Sequence, residues 1–101
     1  MDKVQFAPIE LTLYNDQDEA VKTFTKSVVR WGILKKAIKL AKALDKSEGL
    51  GDDDFDAISS FICHLFDDQF TVEELENGAD VSEIMTCFHA VVRRANTMGN
   101  V

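Results

Sequence analysis

Between Trp31 and Leu44 the chain reads Trp-Gly-Ile-Leu-Lys-Lys-Ala-Ile-Lys-Leu-Ala-Lys-Ala-Leu, and this stretch restricts the possible folds more than any other. Leu34, Ala37, Ile38, Ala41 and Leu44 fall at the spacing that aligns on one face of an α-helix. Lys35, Lys39, Lys42 and Lys46 follow a different face, with Lys36 beside them. The pattern predicts a helix with one apolar stripe and a strongly basic outer side. Its stripe stays dry only if the rest of the chain covers it.

Upstream, Ile9-Glu10-Leu11-Thr12-Leu13 alternates apolar and polar, the period of a half-buried strand. Asn15-Asp16-Gln17-Asp18 is rich in turn formers, and Ala20–Val29 carries enough β-branched and aromatic residues for a second strand. Two strands around a short polar turn predict a β-hairpin, which needs cover on one side to be stable in water. Downstream, two glycines in the loop 46–51 end the basic helix. Asp52-Asp53-Asp54 opens a second helix with the apolar stripe Phe55, Ile58, Phe61, Ile62, Leu65 and Phe66. Thr71-Val72-Glu73-Glu74 reads as a capping box, with Phe70 and Leu75 as its hydrophobic staple and Asn77-Gly78 as its stop. Asp80-Val81-Ser82-Glu83 repeats the capping pattern. It starts a last helix with Val81, Ile84, Met85, Phe88, Val91, Val92 and Ala95 inward, ending at Asn96. The fold class is therefore α+β: an N-terminal β-hairpin followed by a bundle of about four helices. A length of 101 residues fits a single domain, with residues 1–7 and 97–101 expected to be loose.

Composition matters mainly through the placement of charge. Apolar residues at 46% and charged residues at 29% are globular values. The net charge is −7, but residues 21–46 carry eight Lys or Arg against Asp45 alone, whereas residues 47–92 carry twelve acids and no Lys or Arg. Such separation marks either internal complementarity or an interaction surface. If the two signs lie on different sides of the fold, one copy's basic side can meet the next copy's acidic side. A head-to-tail contact of that kind builds rings or open spirals. Trp31 and Ile33, beside the main stripe, are candidates for the apolar part of the seam, with Lys35, Lys36, Lys39 and Lys42 as its charged part. No apolar run reaches membrane-spanning length, so no membrane partner is expected. The start, Met1-Asp2-Lys3-Val4-Gln5-Phe6, lacks signal-peptide features, which predicts a cytoplasmic protein, and two cysteines suggest no disulfide framework.

Patterns that could carry chemistry fail on spacing. Asp52, Asp54 and Asp56 match three positions of a calcium loop, but Ala57 stands where glycine is required and Cys63 where a glutamate is required. Cys63-His64 and Cys87-Phe88-His89 diverge around a helix and lack the pairs that hold zinc. No glycine-rich turn accompanies a Cys or His nucleophile, and no phosphate-cradling motif is present. Neither an enzyme nor a cofactor is expected. The basic helix 31–46 leaves one rival class, a small cytoplasmic DNA-binding regulator. The acidity of the rest of the chain and the scarcity of arginine count against nucleic acid.

Three stretches carry a resemblance that spans about Pro8 to Ala95. They are Thr23-Phe24 leading into Trp31-Gly32-Ile33-Leu34-Lys35-Lys36-Ala37-Ile38, then Phe55-Asp56-Ala57-Ile58, then Gln69-Phe70-Thr71-Val72-Glu73-Glu74-Leu75-Glu76-Asn77-Gly78-Ala79-Asp80. In these the sequence resembles the tail assembly chaperones of long-tailed phages and prophages, especially those of Gram-positive hosts. It departs from the usual pattern at Arg30, where relatives often carry proline before the tryptophan. The resemblance implies a non-catalytic protein that binds the tape measure protein, keeps it soluble and promotes assembly of the tail tube. It also implies contact with the tail tube protein through a longer frameshifted form, this chain being the short form. Action in the host bacterial cytoplasm and absence from the mature virion follow from the same likeness.

Overall fold

The computed structural model describes residues 6–46 and 49–99. Two strands, β1 (Ile9–Tyr14) and β2 (Ala20–Lys26), form an antiparallel hairpin. Four helices follow: α1 (Trp31–Asp45), α2 (Asp52–Leu65), α3 (Val72–Gly78) and α4 (Val81–Gly99). The expected α+β architecture is therefore present. The second strand stops at Lys26 rather than Val29, and the last helix runs to Gly99, past Asn96. Of the loose ends expected at 1–7 and 97–101, residues 1–5 and 100–101 lie outside the described residues, while 6–7 form coil before β1 and 97–99 belong to α4.

The hairpin turn is built by Asn15, whose side-chain oxygen accepts from the backbone N–H of Gln17 at 2.9 Å and of Glu19 at 3.0 Å. Asp18 completes it in a left-handed conformation, φ 61°, which aspartate tolerates better than most residues. The register pairs Leu11 with Phe24, so Ile9, Leu11, Leu13 and Phe24 point to the core. Thr12 and Thr23 meet on the outer face through a 3.0 Å hydroxyl contact. The alternation of β1 was legible in the sequence; β2 buries Phe24 alone among its residues, which is why its inward face could not be read.

The helices cover the hairpin's inner face. Helix α4 packs against α1, β1 and α2; α2 packs against α1 and α3; and α3 touches β1. Phe24 of β2 sits edge-on to Phe70 at 4.9 Å and to Phe66 at 6.4 Å, an aromatic knot joining the hairpin to the end of α2. A second edge-on pair, Phe61 and Phe88 at 5.7 Å, joins α2 to α4.

Helix ends follow the capping chemistry in part. At α3 the Thr71 hydroxyl accepts from the Glu74 N–H at 3.1 Å, and the Glu74 carboxylate accepts from the Thr71 N–H at 3.0 Å. At α2, Asp54 reaches back to the Gly51 N–H at 2.9 Å. At α4 the pattern departs from expectation: Asp80 accepts from the N–H and hydroxyl of Ser82, but Glu83 does not reach back. Its carboxylate instead accepts from the N–H of Thr12 in β1 at 2.7 Å. Gly78 also has a different role from a left-handed stop. A Cβ there would lie 3.3 Å from Leu13 Cβ and 3.4 Å from the Tyr14 carbonyl oxygen, so glycine permits α3 to close onto β1.

Candidate interaction surfaces

Helix α1 starts at Trp31 after an extended Arg30, with no side-chain cap and no acid in its first turn. Ala37 is buried, and Leu34, Leu40, Ala41 and Leu44 are half-buried against the core. Ile33 is half-buried in the same packing. Trp31 is 74% exposed, and Val28, in the connector before the helix, is 66% exposed. Trp31, Lys35, Lys39 and Lys42 recur at helical spacing, so the tryptophan heads the lysine stripe. All three of those lysines and Lys36 are exposed. Among the described residues the ion pair is Lys26 with Asp67, at 2.6 Å, and none of the α1 lysines has a carboxylate partner. The hydrogen bond from Lys26 holds the Asp67 carboxyl below the usual carboxylate range, with the Lys26 and Arg30 charges helping.

A second surface lies at the start of α2 and α4. Ile58 and Leu75 floor a groove of about 430 Å³, Ile84 and Met85 wall it, and Phe55 and Val81 form its lip. The stripe pattern assigned Phe55 and Val81 to the core; they are 54% and 77% exposed. Both stand in the first turns of their helices, where the apolar face has begun but no other element yet lies opposite. Apolar residues flanked by acids at a helix start were the available signal: Phe55 lies between Asp54 and Asp56, and Val81 follows Asp80. Glu76 lines the groove, and it and the α2 acids Asp52, Asp53 and Asp56 are exposed and make no ion pair among the described residues.

The groups weighed for chemistry are placed as packing. Cys63 and Cys87 are free and buried, whereas His64 and His89 are exposed. Burial pushes the Cys87 thiol up to about 12, with the Glu83 charge adding to it, and the thiol donates to the Glu10 carbonyl at 3.2 Å. Burial likewise raises Cys63, with Asp68 and Glu74 adding to it. A raised thiol is a poor nucleophile and a poor metal ligand at neutral pH. No group of three or more His, Cys, Asp or Glu that could hold a metal ion occurs among the described residues. No described helix is long and apolar enough to cross a membrane.

No curated protein and no solved structure matches the chain. A family model described as phage tail chaperone protein matches residues 7–99, from the coil before β1 to the end of α4. The match takes in the whole hairpin, the basic stripe and the apolar groove together. The chain belongs to the phage tail chaperone protein family.

Proposed function

We propose that this protein is a non-catalytic tail assembly chaperone that binds the tape measure protein, keeps it soluble and promotes tail tube assembly. The family match over residues 7–99 carries the reading. The surface supports it: exposed apolar residues at Val28, Trp31, Phe55 and Val81 sit in a shell of net charge −7. Apolar patches can cover an apolar helical client, and the acidic surroundings keep the complex in solution. In this reading the chain acts in the host cytoplasm and leaves before the virion is complete. Contact with the tail tube protein belongs to a longer frameshifted form. The chaperone also self-associates, with Trp31, Ile33, Lys35, Lys36, Lys39 and Lys42 on one side of the seam.

Co-expression with the tape measure protein tests this. The client should remain in the soluble fraction with the chaperone and precipitate without it; equal solubility in both cases removes the basis of the assignment. The unpaired lysines of α1 keep a DNA-binding regulator as the comparison arm. A gel shift at moderate salt should show no retarded band, because phosphate contacts would dominate such binding.

A further inference from the structure

The groove between α2, α3 and α4, at about 430 Å³, has room for more than one apolar side chain. Its floor, Ile58 and Leu75, is buried, while Phe55 and Val81 at the lip face water. Two large apolar side chains exposed on one rim mark a surface that an incoming apolar partner would cover. Met85 stands in the wall, and its unbranched, polarizable side chain adapts to partners of different shape. Floor and walls come from helices, so the groove offers no ladder of free backbone groups to an extended segment. An occupant has to satisfy its own backbone, as a helix does.

Charge decides which kind of helix. Every residue of the groove comes from the segment 47–92, which carries twelve acids and no Lys or Arg. Glu76 lines the groove, is exposed and makes no ion pair among the described residues. An acidic helix laid there would meet like charge and leave Glu76 without a partner. A helix with Lys or Arg beside its apolar stripe brings the complementary sign. We infer that the groove holds an amphipathic helix of the tape measure protein whose apolar stripe is flanked by Lys or Arg. Apolar anchors one helical turn apart seat against Phe55, Ile58 and Val81, and a flanking cation reaches Glu76. This rests on the client named in the proposed function; it adds the site on the chaperone and the class of client segment that fits it. Recognition by pattern rather than by a fixed sequence lets one small domain engage its client at more than one place.

Overlapping peptides that cover the tape measure protein, each of about 20 residues so that a helix can form, are passed over the immobilised full chain. Those with a Lys- or Arg-flanked apolar stripe should be retained, and acidic peptides of equal hydropathy should not. Val81→Lys, which sets a like charge at the lip, should weaken the retained peptides about thirtyfold or more, the loss expected of a central apolar anchor. Phe55→Ala serves if the Val81 variant loses its far-UV helix signal. Glu76→Lys should weaken them about fivefold at low salt, with the deficit narrowing toward ~1 M. Retention of no peptide, preference for acidic peptides, or groove variants that bind as well as the parent overturns the inference. If the parent then still keeps the tape measure protein soluble, the proposed function stands. Groove variants that reduce sedimentation of the chaperone alone while the peptides stay bound make a second copy the occupant and likewise overturn it. A parent that retains basic helices through the groove but leaves the tape measure protein insoluble supports the contact and sinks the proposed function.

Discussion

The guanidinium of Arg94 is buried, and it donates to two backbone carbonyls: Ser27 at 3.0 Å and Ala7 at 3.1 Å. It also lies 4.9 Å from the Phe6 ring centroid, and burial lowers its pKa. One side chain of α4 thus ties down both the coil entering β1 and the connector entering α1. Hydrogen bonds to a charged group contribute roughly 1.5–3 kcal/mol each, so Arg94→Ala should lower stability by about 2–4 kcal/mol in urea unfolding. Arg94→Lys keeps the charge but not the fork, and it should fall between the two. Sequence offered one hint, since Arg94 lies three residues after Val91 and seven after Cys87 on the inward face of α4. Cys87 itself sets a pH dependence. Its thiol stays protonated up to about 12 in the folded chain, against a usual value of 9.0. The unfolded chain therefore loses that proton first, and folding weakens as pH rises from 9.0 toward 12. Melting temperature should decline less steeply across that window in Cys87→Ala than in the parent.

At the scale of elements, the hairpin is stable because α4 covers the edge of β1 that β2 does not. Glu83 accepts from the Thr12 N–H, and the Cys87 thiol donates to the Glu10 carbonyl, so two outward backbone groups of β1 are satisfied by one helix. Glu83→Ala leaves that N–H short of a partner and should cost about 1–2 kcal/mol, while Glu83→Gln, which keeps an acceptor, should cost less. Thr71→Ala at the start of α3 should cost about 1 kcal/mol, as losses of N-caps do. Both are read from urea midpoints at constant slope. These two ends also show what was legible. The box at Thr71 and Glu74 is closed by residues three apart, so sequence contains all of it. The choice Glu83 makes depends on β1, 71 residues away, and no local pattern holds that. The same limit explains Phe55 and Val81: periodicity places a residue on a helix face, but only the packing of other elements decides whether that face is covered. The hairpin, the four helices and the lysine stripe were accessible from local spacing; the groove, assembled from three helices, was not.

At the scale of the whole molecule, the proposed self-association would draw on both the exposed tryptophan and the lysine stripe of α1, and their magnitudes decide which would govern it. A tryptophan buries about 150–250 Å² when seated, worth roughly 4–6 kcal/mol at about 25 cal/mol per Å² before the costs of association. An exposed ion pair contributes about 0–1 kcal/mol, and the screening length falls from ~10 Å at 0.1 M salt to ~3 Å at 1 M. Trp31 should therefore supply most of the affinity, and the α1 lysines should set approach and register. Raising salt should shrink the oligomers expected in sedimentation without abolishing them, and should slow their formation more than it speeds their loss. Changing Lys35, Lys39 and Lys42 together to Glu should weaken assembly most at low salt, with the deficit narrowing toward 1 M. Trp31→Ala should weaken it at every salt concentration. If the triple lysine change instead dissolves the oligomers while Trp31→Ala leaves them intact, the seam is electrostatic and Trp31 is not its anchor.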